Sequence, residues 1–377
     1  MWYKRFYENQ ILNYIEPGKV FVLYGPRRAG KTCLIQKFLS DYNGKFFIGS
    51  GEDLTLIELF QSSNIQRIKS AFAEYDLVII DEGQHIPNIG QGLKLLVDHL
   101  PHIRVIASGS SSFELAGKLG EPLTGRQWIG IIFPLSILEL KAQFGGMKVM
   151  QQLEELMRFG SFPETLNLES EKDKIEYLVT LRDSYLLKDL LILENVKSSL
   201  VLFNLLKLLA FQIGKEVSLS ELSRSLSIAK HTVERYLDLM EKIFIIKKVG
   251  GFSRNLRKEV TKTCRYYFWD NGIRNSLINN FSPFVTRNDL GMLWENFLFI
   301  ERLKRNTYRK HFANQYFWRT YDRQEIDYIE EYGGELWGYE FKWGMKDAKA
   351  PKIWLQTYAN AHFTTVHNGN FLSFLNS

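Results

Sequence analysis

The chain is poor in the residues that build metal clusters, and it has no long apolar run. Its 377 residues include only two cysteines, Cys33 and Cys264, and seven histidines without metal-ligand spacing. This scarcity excludes a cysteine cluster, argues against structural zinc and fits a reducing compartment. The first twenty residues have no apolar stretch of the signal-peptide type, and no run approaches the roughly eighteen apolar residues of a membrane span. We therefore expect a cytoplasmic protein with no membrane partner.

The positive charge is concentrated in one segment of the chain. At this length two or three domains are expected. The net charge is +6, and the segment from Gly214 to Lys262 has 11 Lys/Arg against 6 Asp/Glu. This segment is therefore either an ordinary solvated surface or a nucleic-acid contact.

A glycine-rich segment from Gly25 to Thr32 matches the P-loop pattern G-x-x-x-x-G-K-[ST]. It follows an apolar run typical of a buried strand and precedes a stretch with helical spacing. In such a loop backbone N–H groups surround the β-phosphate, Lys31 reaches the β- and γ-phosphates, and Thr32 ligates Mg²⁺. We expect ATP and Mg²⁺ as cofactors. The predicted ATP-binding residues are Gly25, Pro26, Arg27, Arg28, Ala29, Gly30, Lys31, Thr32 and Cys33, of which Arg27 and Arg28 are also consistent with solvated charges.

An apolar run that ends in two carboxylates, Leu77 to Glu82, follows about fifty residues later and has the Walker B pattern. We expect Asp81 to hold Mg²⁺ and Glu82 to orient and deprotonate the attacking water. The run is apolar on both faces, which is typical of a parallel sheet covered by helices on both sides.

Polar side chains also follow a third predicted strand, 103–107. Ligands bind at the carboxyl ends of strands in open α/β sheets, so Ser108 and Ser110 are candidates to touch the γ-phosphate or the water. Ser111 and Ser112 are equally well explained as a helix cap. Farther on, Arg126 is either an arginine finger, in cis or in a neighbouring subunit, or a surface arginine. The neighbouring-subunit alternative implies a homo-oligomer.

These motifs make the chain resemble the prokaryotic AAA-type ATPases that have a winged-helix segment and a C-terminal restriction-endonuclease-like domain of unknown role. The resemblance spans nearly the whole chain and implies a nucleoside triphosphatase with a catalytic glutamate. It names no substrate. The matching stretches are 25–32, 79–84, 109–112, 124–126, 133–140 and 160–164.

The middle of the chain is predicted to be helical and then to form a winged helix-turn-helix. Leu153, Leu156 and Met157 share one helical face. A short helix capped by serine, a turn, a helix from Lys230 to Lys242 and a β wing at 243–249 follow. Winged helices contact DNA or dock proteins, and both alternatives remain open. The predicted DNA contacts are Lys230, Arg235, Lys247, Lys248 and Arg254, with His231, Thr232, Arg257 and Lys258 nearby.

The last hundred residues contain a helix with Glu295, a strand with Asp327 and a strand with Glu340 and Lys342. Glu340 and Lys342 are two residues apart on a strand and therefore share a face. This order resembles the PD-(D/E)xK nuclease core, although Ile326 stands where that motif has proline. Asp327, Glu340 and Glu295 are then expected to bind Mg²⁺, with Lys342 beside the metal. An ordinary Glu340–Lys342 ion pair is the alternative.

The sequence thus predicts a P-loop α/β domain, a helical lid with a winged helix, and a small α+β restriction-endonuclease-like domain. The predicted boundaries are 1–146, 147–212, 213–262 and 263–377. The expected function is ATP hydrolysis coupled to DNA binding and Mg²⁺-dependent cleavage. The alternative is an ATP-gated interaction protein whose nuclease-like domain is inactive.

Overall fold

The computed structural model describes residues 1–110, 123–186, 199–253, 264–320 and 324–376. These residues group into two compact units, one of residues 1–135 with 242–244 and one of residues 136–241 with 245–377. The four-segment division proposed above stays a prediction.

The first unit is built on a parallel sheet with the strand order β2-β3-β4-β1-β5. The α/β class with a parallel sheet is therefore confirmed. β1 and the apolar residues of β3 are fully buried, which explains their unbroken apolar runs. The strands are β1 (Val20–Tyr24), β2 (Phe46–Ser50), β3 (Leu77–Asp81), β4 (Arg104–Gly109) and β5 (Gln127–Ile131).

Helices connect these strands, and two of them begin at a side-chain cap. Asp53 accepts backbone N–H bonds at the start of α3, and Asn64 does so at the start of α4. A 3₁₀ turn, Gly83–His85, follows β3. The helices are α1 (Ile11–Tyr14), α2 (Lys31–Ser40), α3 (Leu54–Gln61), α4 (Ile65–Phe72) and α5 (Ile89–His99).

The second unit begins with helices. Ser136 and Glu139 form a capping box at the first of them, and Leu153, Leu156 and Met157 are buried, as their spacing predicts. A π-helical turn, Arg182–Leu186, directly follows the helix Glu171–Leu181. These helices are α6 (Ile137–Phe144), α7 (Gly146–Gln151), α8 (Leu153–Phe159), α9 (Pro163–Asn167), α10 (Glu171–Leu181) and α11 (Ser199–Phe211).

A seven-stranded mixed sheet completes the second unit, in the order β12-β11-β10-β9-β7-β8-β6. Strands from the predicted winged segment and from the predicted nuclease-like segment therefore share one sheet, because β7 pairs with β9. The strands are β6 (Glu216–Val217), β7 (Ile246–Gly251), β8 (Cys264–Phe268), β9 (Asn314–Arg319), β10 (Glu325–Tyr332), β11 (Glu335–Lys342) and β12 (Ala361–His367).

Six more helices accompany this sheet in the described part of the unit. The longest, α15, packs against β8 and β11, and its Trp294 is fully buried. A 3₁₀ turn, Phe284–Thr286, precedes it. The helices are α12 (Leu219–Leu226), α13 (Lys230–Lys242), α14 (Asn271–Leu277), α15 (Leu290–Tyr308), α16 (Lys352–Thr357) and α17 (Phe371–Phe374).

Buried ion pairs hold this unit together in addition to its apolar core. Arg274 and Arg287 both bind the carboxylate of Asp289, and Arg302 binds Glu330 through two hydrogen bonds of 2.9 and 2.7 Å. Among the helices described, none is long and apolar enough to span a bilayer.

Candidate nucleotide site and C-terminal acidic cluster

The P-loop lies between the carboxyl end of β1 and the first turn of α2. Gly25 has φ 148°, and a Cβ there would stand 1.9 Å from the carbonyl oxygen of Ile132, so only glycine fits. Gly30 has φ 98° and precedes the first residue of α2. The two glycines of the motif are thus required by the backbone.

The predicted loop residues differ in exposure. Lys31 is buried, and its Nζ donates to the carbonyl oxygens of Gly25 (2.9 Å) and Pro26 (3.0 Å). Arg28 and Cys33 are exposed, and Arg27 is half-buried. The ammonium group of Lys31 therefore lies inside the loop, where a bound phosphate would be held.

An arginine near the N-terminus, which belongs to no sequence motif, supports this loop. Arg5 is buried and donates to the carbonyl oxygen of Ala29 and, over 2.6 Å, to that of Phe133. It thereby ties the loop to the segment that follows β5. A sequence offers no pattern for such a contact between residues more than a hundred positions apart.

The Walker B aspartate meets the P-loop threonine. Thr32 Oγ1 donates to Asp81 Oδ2 over 2.9 Å, and Ser108 Oγ donates to Asp81 Oδ1. Ser108 comes from the neighbouring strand β4 and is fully buried. Its hydroxyl thus contacts Asp81, and the contact with phosphate or water expected for Ser108 stays a prediction.

The next residue, Glu82, is held in an unusual backbone conformation. Its φ of 52° lies in the left-handed region, which is costly for a residue with a side chain. Gly51 packs against it so closely that a Cβ at Gly51 would lie 2.3 Å from the Glu82 carbonyl oxygen. The Gly51 N–H also donates to the Asp81 carbonyl oxygen over 2.7 Å.

A glutamine connects Glu82 with the end of β4. Gln84 Nε2 donates to Glu82 Oε2, and Gln84 Oε1 accepts from the backbone N–H of Ser110 over 3.3 Å. Ser110 thus reaches this site through its backbone. Sequence reasoning assigned Gln84 no role, although its position two residues after the acidic pair was a usable signal. Ser111 and Ser112 lie outside the described residues.

Arg126 lies at the opposite edge of the sheet from the P-loop. It directly precedes β5, whose first residue Gln127 pairs with Val20 at the start of β1. A five-residue strand separates the two edges by roughly 16 Å. Arg126 Nε donates to Asp98 Oδ1 over 2.7 Å at the surface. This placement argues against an arginine finger in the same chain, and the neighbouring-subunit role stays a prediction.

The three residues of the nuclease-like motif come together in the second unit. Tyr328 of β10 pairs with Tyr339 of β11, so Asp327 and Glu340 lie opposite each other. Asp327 Oδ2 accepts from the N–H of Phe341 over 2.8 Å. Lys342 Nζ donates to Glu340 Oε1 over 2.6 Å.

Glu295 of α15 reaches the same place, and so does an arginine that sequence reasoning missed. Arg265 of β8 is buried, and its Nη1 lies 3.3 Å from Glu295 Oε1 and 3.8 Å from Asp327 Oδ1. Its Nη2 lies 3.1 Å from Glu325 Oε2. We call Glu295, Glu325, Asp327 and Glu340 the acidic cluster.

Burial and mutual repulsion govern the charges of this cluster. Burial raises the pKa of Glu295 to about 7, although Arg265 and a hydrogen bond from Tyr267 act in the opposite direction. Burial, with the nearby charges of Glu295 and Glu340, raises the pKa of Asp327 well above its usual range. Burial alone would lower the pKa of Arg265, but Tyr267 and the acidic residues outweigh that effect and raise it.

The acidic cluster does not fit a divalent ion held by Asp327, Glu340 and Glu295 together. Among the residues that the structure describes, no three His, Cys, Asp or Glu side chains are arranged to hold one metal ion. The guanidinium of Arg265 lies between Glu295 and Asp327, where such an ion would need to bind.

The predicted DNA contacts lie on or near α13. Lys230, Arg235 and Lys248 are exposed, whereas Lys247 Nζ is paired with Glu241 over 2.6 Å. The strand β7 (Ile246–Gly251) overlaps the wing predicted at 243–249 and pairs with β8 and β9, and the winged helix stays a prediction. Arg254, Arg257 and Lys258 lie outside the described residues.

Three domain families match successive parts of the chain. Residues 17–141 match the AAA domain family. Residues 150–283 match a domain of unknown function (DUF8612), and residues 290–371 match another (DUF4143). Residues 17–141, which include the P-loop and the Walker B pair, are thus similar to an AAA-type P-loop domain, as the motifs predict.

Two relatives of this chain are bacterial proteins described as uncharacterized. An uncharacterized protein of Mycobacterium tuberculosis is 25% identical over 330 residues, which cover 86% of this chain and 70% of that protein. An uncharacterized protein of Haemophilus influenzae is 26% identical over 355 residues, which cover 88% of this chain and 84% of that protein. Among solved structures, the Walker-type ATPase of Pyrococcus abyssi is 20% identical with a TM-score of 0.48, over 73% of this chain and 94% of that one.

Proposed function

We propose that the protein binds ATP with Mg²⁺ and hydrolyses it. The observation that carries this proposal is the hydrogen bond of 2.9 Å from Thr32 Oγ1 to Asp81 Oδ2, which brings the two predicted Mg²⁺ ligands together beside the P-loop. When bound, Mg²⁺ would neutralise phosphate charge at these two oxygens.

The remaining residues of the site suit separate tasks. The Lys31 ammonium, inside the loop, binds the β- and γ-phosphates. Glu82 orients the attacking water and accepts its proton as the water oxygen attacks the γ-phosphorus and the bond to the bridging oxygen breaks. Gln84 holds the Glu82 carboxylate, and Ser108 orients Asp81.

The test of this proposal is ATP binding and phosphate release by the purified protein. Lys31→Ala should abolish binding, since it removes the cation from the loop. Lys37→Ala is a matched control, because Lys37 is on the same helix but pairs with Asp41 at the surface. Equal ATP binding by wild type and Lys31→Ala would contradict the proposal.

DNA binding by the middle segment is a second proposal. It is supported by the exposed Lys230, Arg235 and Lys248 on and after α13, while the exposed Glu234 and Asp238 on the same helix weaken it. Affinity for duplex DNA should fall with salt by a log–log slope of roughly 0.9 per phosphate contact.

Replacing Lys230, Arg235 and Lys248 together by alanine should flatten this salt dependence. Replacing the exposed Lys346, Lys349 and Lys352 instead removes the same charge elsewhere and should leave the slope unchanged. A complex insensitive to salt would favour protein docking by the predicted winged helix.

We further propose that the C-terminal segment has a restriction-endonuclease-like arrangement. The order of helix with Glu295, strand with Asp327 and strand with Glu340 and Lys342 supports this proposal, as does the opposition of Asp327 and Glu340 across two strands. An ATP-gated interaction protein with an inactive nuclease-like domain remains the competing function.

A further inference from the structure

Arg265 occupies a position in the acidic cluster that a nuclease motif reserves for a metal ion. It comes from β8, outside the helix and the two strands that carry the motif. Its side chain is only 4% exposed, so it cannot turn out to solvent without opening the cluster. The guanidinium also lies 4.5 Å from the centre of the Phe317 ring, where a cation–π contact favours its position.

We propose that the guanidinium of Arg265 is the resident cation of the acidic cluster, and that the C-terminal domain of this chain therefore works without a divalent metal. The inference does not depend on ATP hydrolysis in the first unit. It assigns the domain to binding, because a nuclease of this type requires a metal to activate water and to stabilise the phosphate.

The hydrogen bonds of the cluster support this assignment. Glu295 Oε1 is shared by Arg265 and the Tyr267 hydroxyl, which donates over 2.7 Å. Asp327 Oδ2 accepts from a backbone N–H, and Oδ1 lies 3.8 Å from Arg265 Nη1, which is an ion-pair distance. Glu295 Oε1 and Asp327 Oδ2 thus already have protein donors, whereas Mg²⁺ needs its oxygens in near-octahedral geometry.

Electrostatic repulsion also supports Arg265 as the resident cation. An ion bound jointly by Glu295 and Asp327 would lie beside the guanidinium, which does not lose its proton in proteins. Like charges at such separation in a buried site repel strongly. Arg265 and a metal at this place are therefore alternatives.

Glu340 Oε2 is buried and has no hydrogen-bond partner among the described residues. The other oxygen of this carboxylate accepts from Lys342. We assign the compensating charge at Glu340 to this lysine, and we expect no metal there.

Mn²⁺ titration of the nucleotide-free full chain, followed by the EPR signal of free Mn²⁺, tests the proposal. Each protein is compared with its own Asp327→Asn/Glu340→Gln derivative, so that ions bound at the P-loop cancel. Wild type and its derivative should bind the same number of ions. Arg265→Gln should bind one more ion than its derivative, whereas Arg265→Lys, which keeps the charge, should not.

Two outcomes would overturn the proposal. In the first, wild type binds an ion that its Asp327→Asn/Glu340→Gln derivative does not bind. This comparison contains no change at Arg265 and so holds even if Arg265 variants fail to fold. In the second, Arg265→Gln folds, by circular dichroism, but gains no ion.

Discussion

The hydroxyl of Thr32 lies 2.9 Å from Asp81 Oδ2 and donates a hydrogen bond to it. The two residues are 49 positions apart in sequence, and the parallel order of β1, β4 and β3 brings them to one edge of the sheet. Ligands bind at this edge in open α/β sheets. The position of the proposed nucleotide site therefore follows from the topology of the sheet.

Gly51 is expected to be essential for the conformation of Glu82. Gly51→Ala places a Cβ 2.3 Å from the Glu82 carbonyl oxygen, so the backbone after β3 must shift. We expect ATP turnover to fall by at least tenfold while nucleotide binding through Lys31 persists. Gly291→Ala is the control, because no atom lies within 4 Å of the added Cβ. Normal turnover by Gly51→Ala would show that this backbone can move without consequence.

Gln84 is expected to act as a positioning residue for Glu82. Gln84→Ala removes a hydrogen bond to a carboxylate, which is worth about 1.5–3 kcal/mol and corresponds to a fall in kcat of roughly 10- to 100-fold. KM should change little, since the hydrogen bonds of Gln84 go to the Glu82 carboxylate and to the backbone N–H of Ser110. A change in KM alone, with kcat intact, would place Gln84 in nucleotide binding instead.

Substitution of Arg126 tests whether the proposed ATP site is shared between two subunits. Arg126→Ala should bind ATP normally, and it should lose hydrolysis if the arginine acts on a neighbouring subunit. Mixing it with Glu82→Gln should then restore some activity at interfaces where both intact groups meet. Full activity of Arg126→Ala would show that the arginine takes no part in hydrolysis and forms only a surface ion pair with Asp98.

The ionised carboxylate of Asp289 is expected to make the free energy of unfolding depend on pH in the acid range. Burial would raise its pKa, but hydrogen bonds from Arg287 and Arg274 outweigh this and lower the pKa to about 2. A carboxyl group whose pKa is lower in the folded state stabilises the fold above the unfolded value, about 4. That contribution is lost as the pH falls through about 2.

Thermal unfolding of wild type and Asp289→Asn from pH 7 to pH 2 measures this effect. Wild type should be more stable at pH 7, by on the order of 2 kcal/mol at most. The difference should shrink below pH 4 as the wild-type carboxyl takes up its proton. A difference that is constant with pH would mean that the Asp289 charge does not stabilise the fold.

The elements with local signals were predictable from the sequence, and the long-range partners were not. The apolar run 77–80 and the glycines of the P-loop are local patterns, so β3 and the loop were found. Arg5 and Arg265 depend on contacts between distant segments, and no spacing rule reveals them. The ion pair between Lys247 and Glu241 was not predicted either, because the sequence does not show that these two side chains meet.

The central claim is that Glu82 prepares the attacking water while the P-loop holds the nucleotide. It is tested most directly by measuring ATP affinity and single-turnover hydrolysis of Glu82→Gln beside wild type. Glutamine keeps the shape but cannot accept the proton, so binding should be unchanged and hydrolysis should fall about 10²- to 10⁴-fold. Hydrolysis by Glu82→Gln at the wild-type rate would contradict the account.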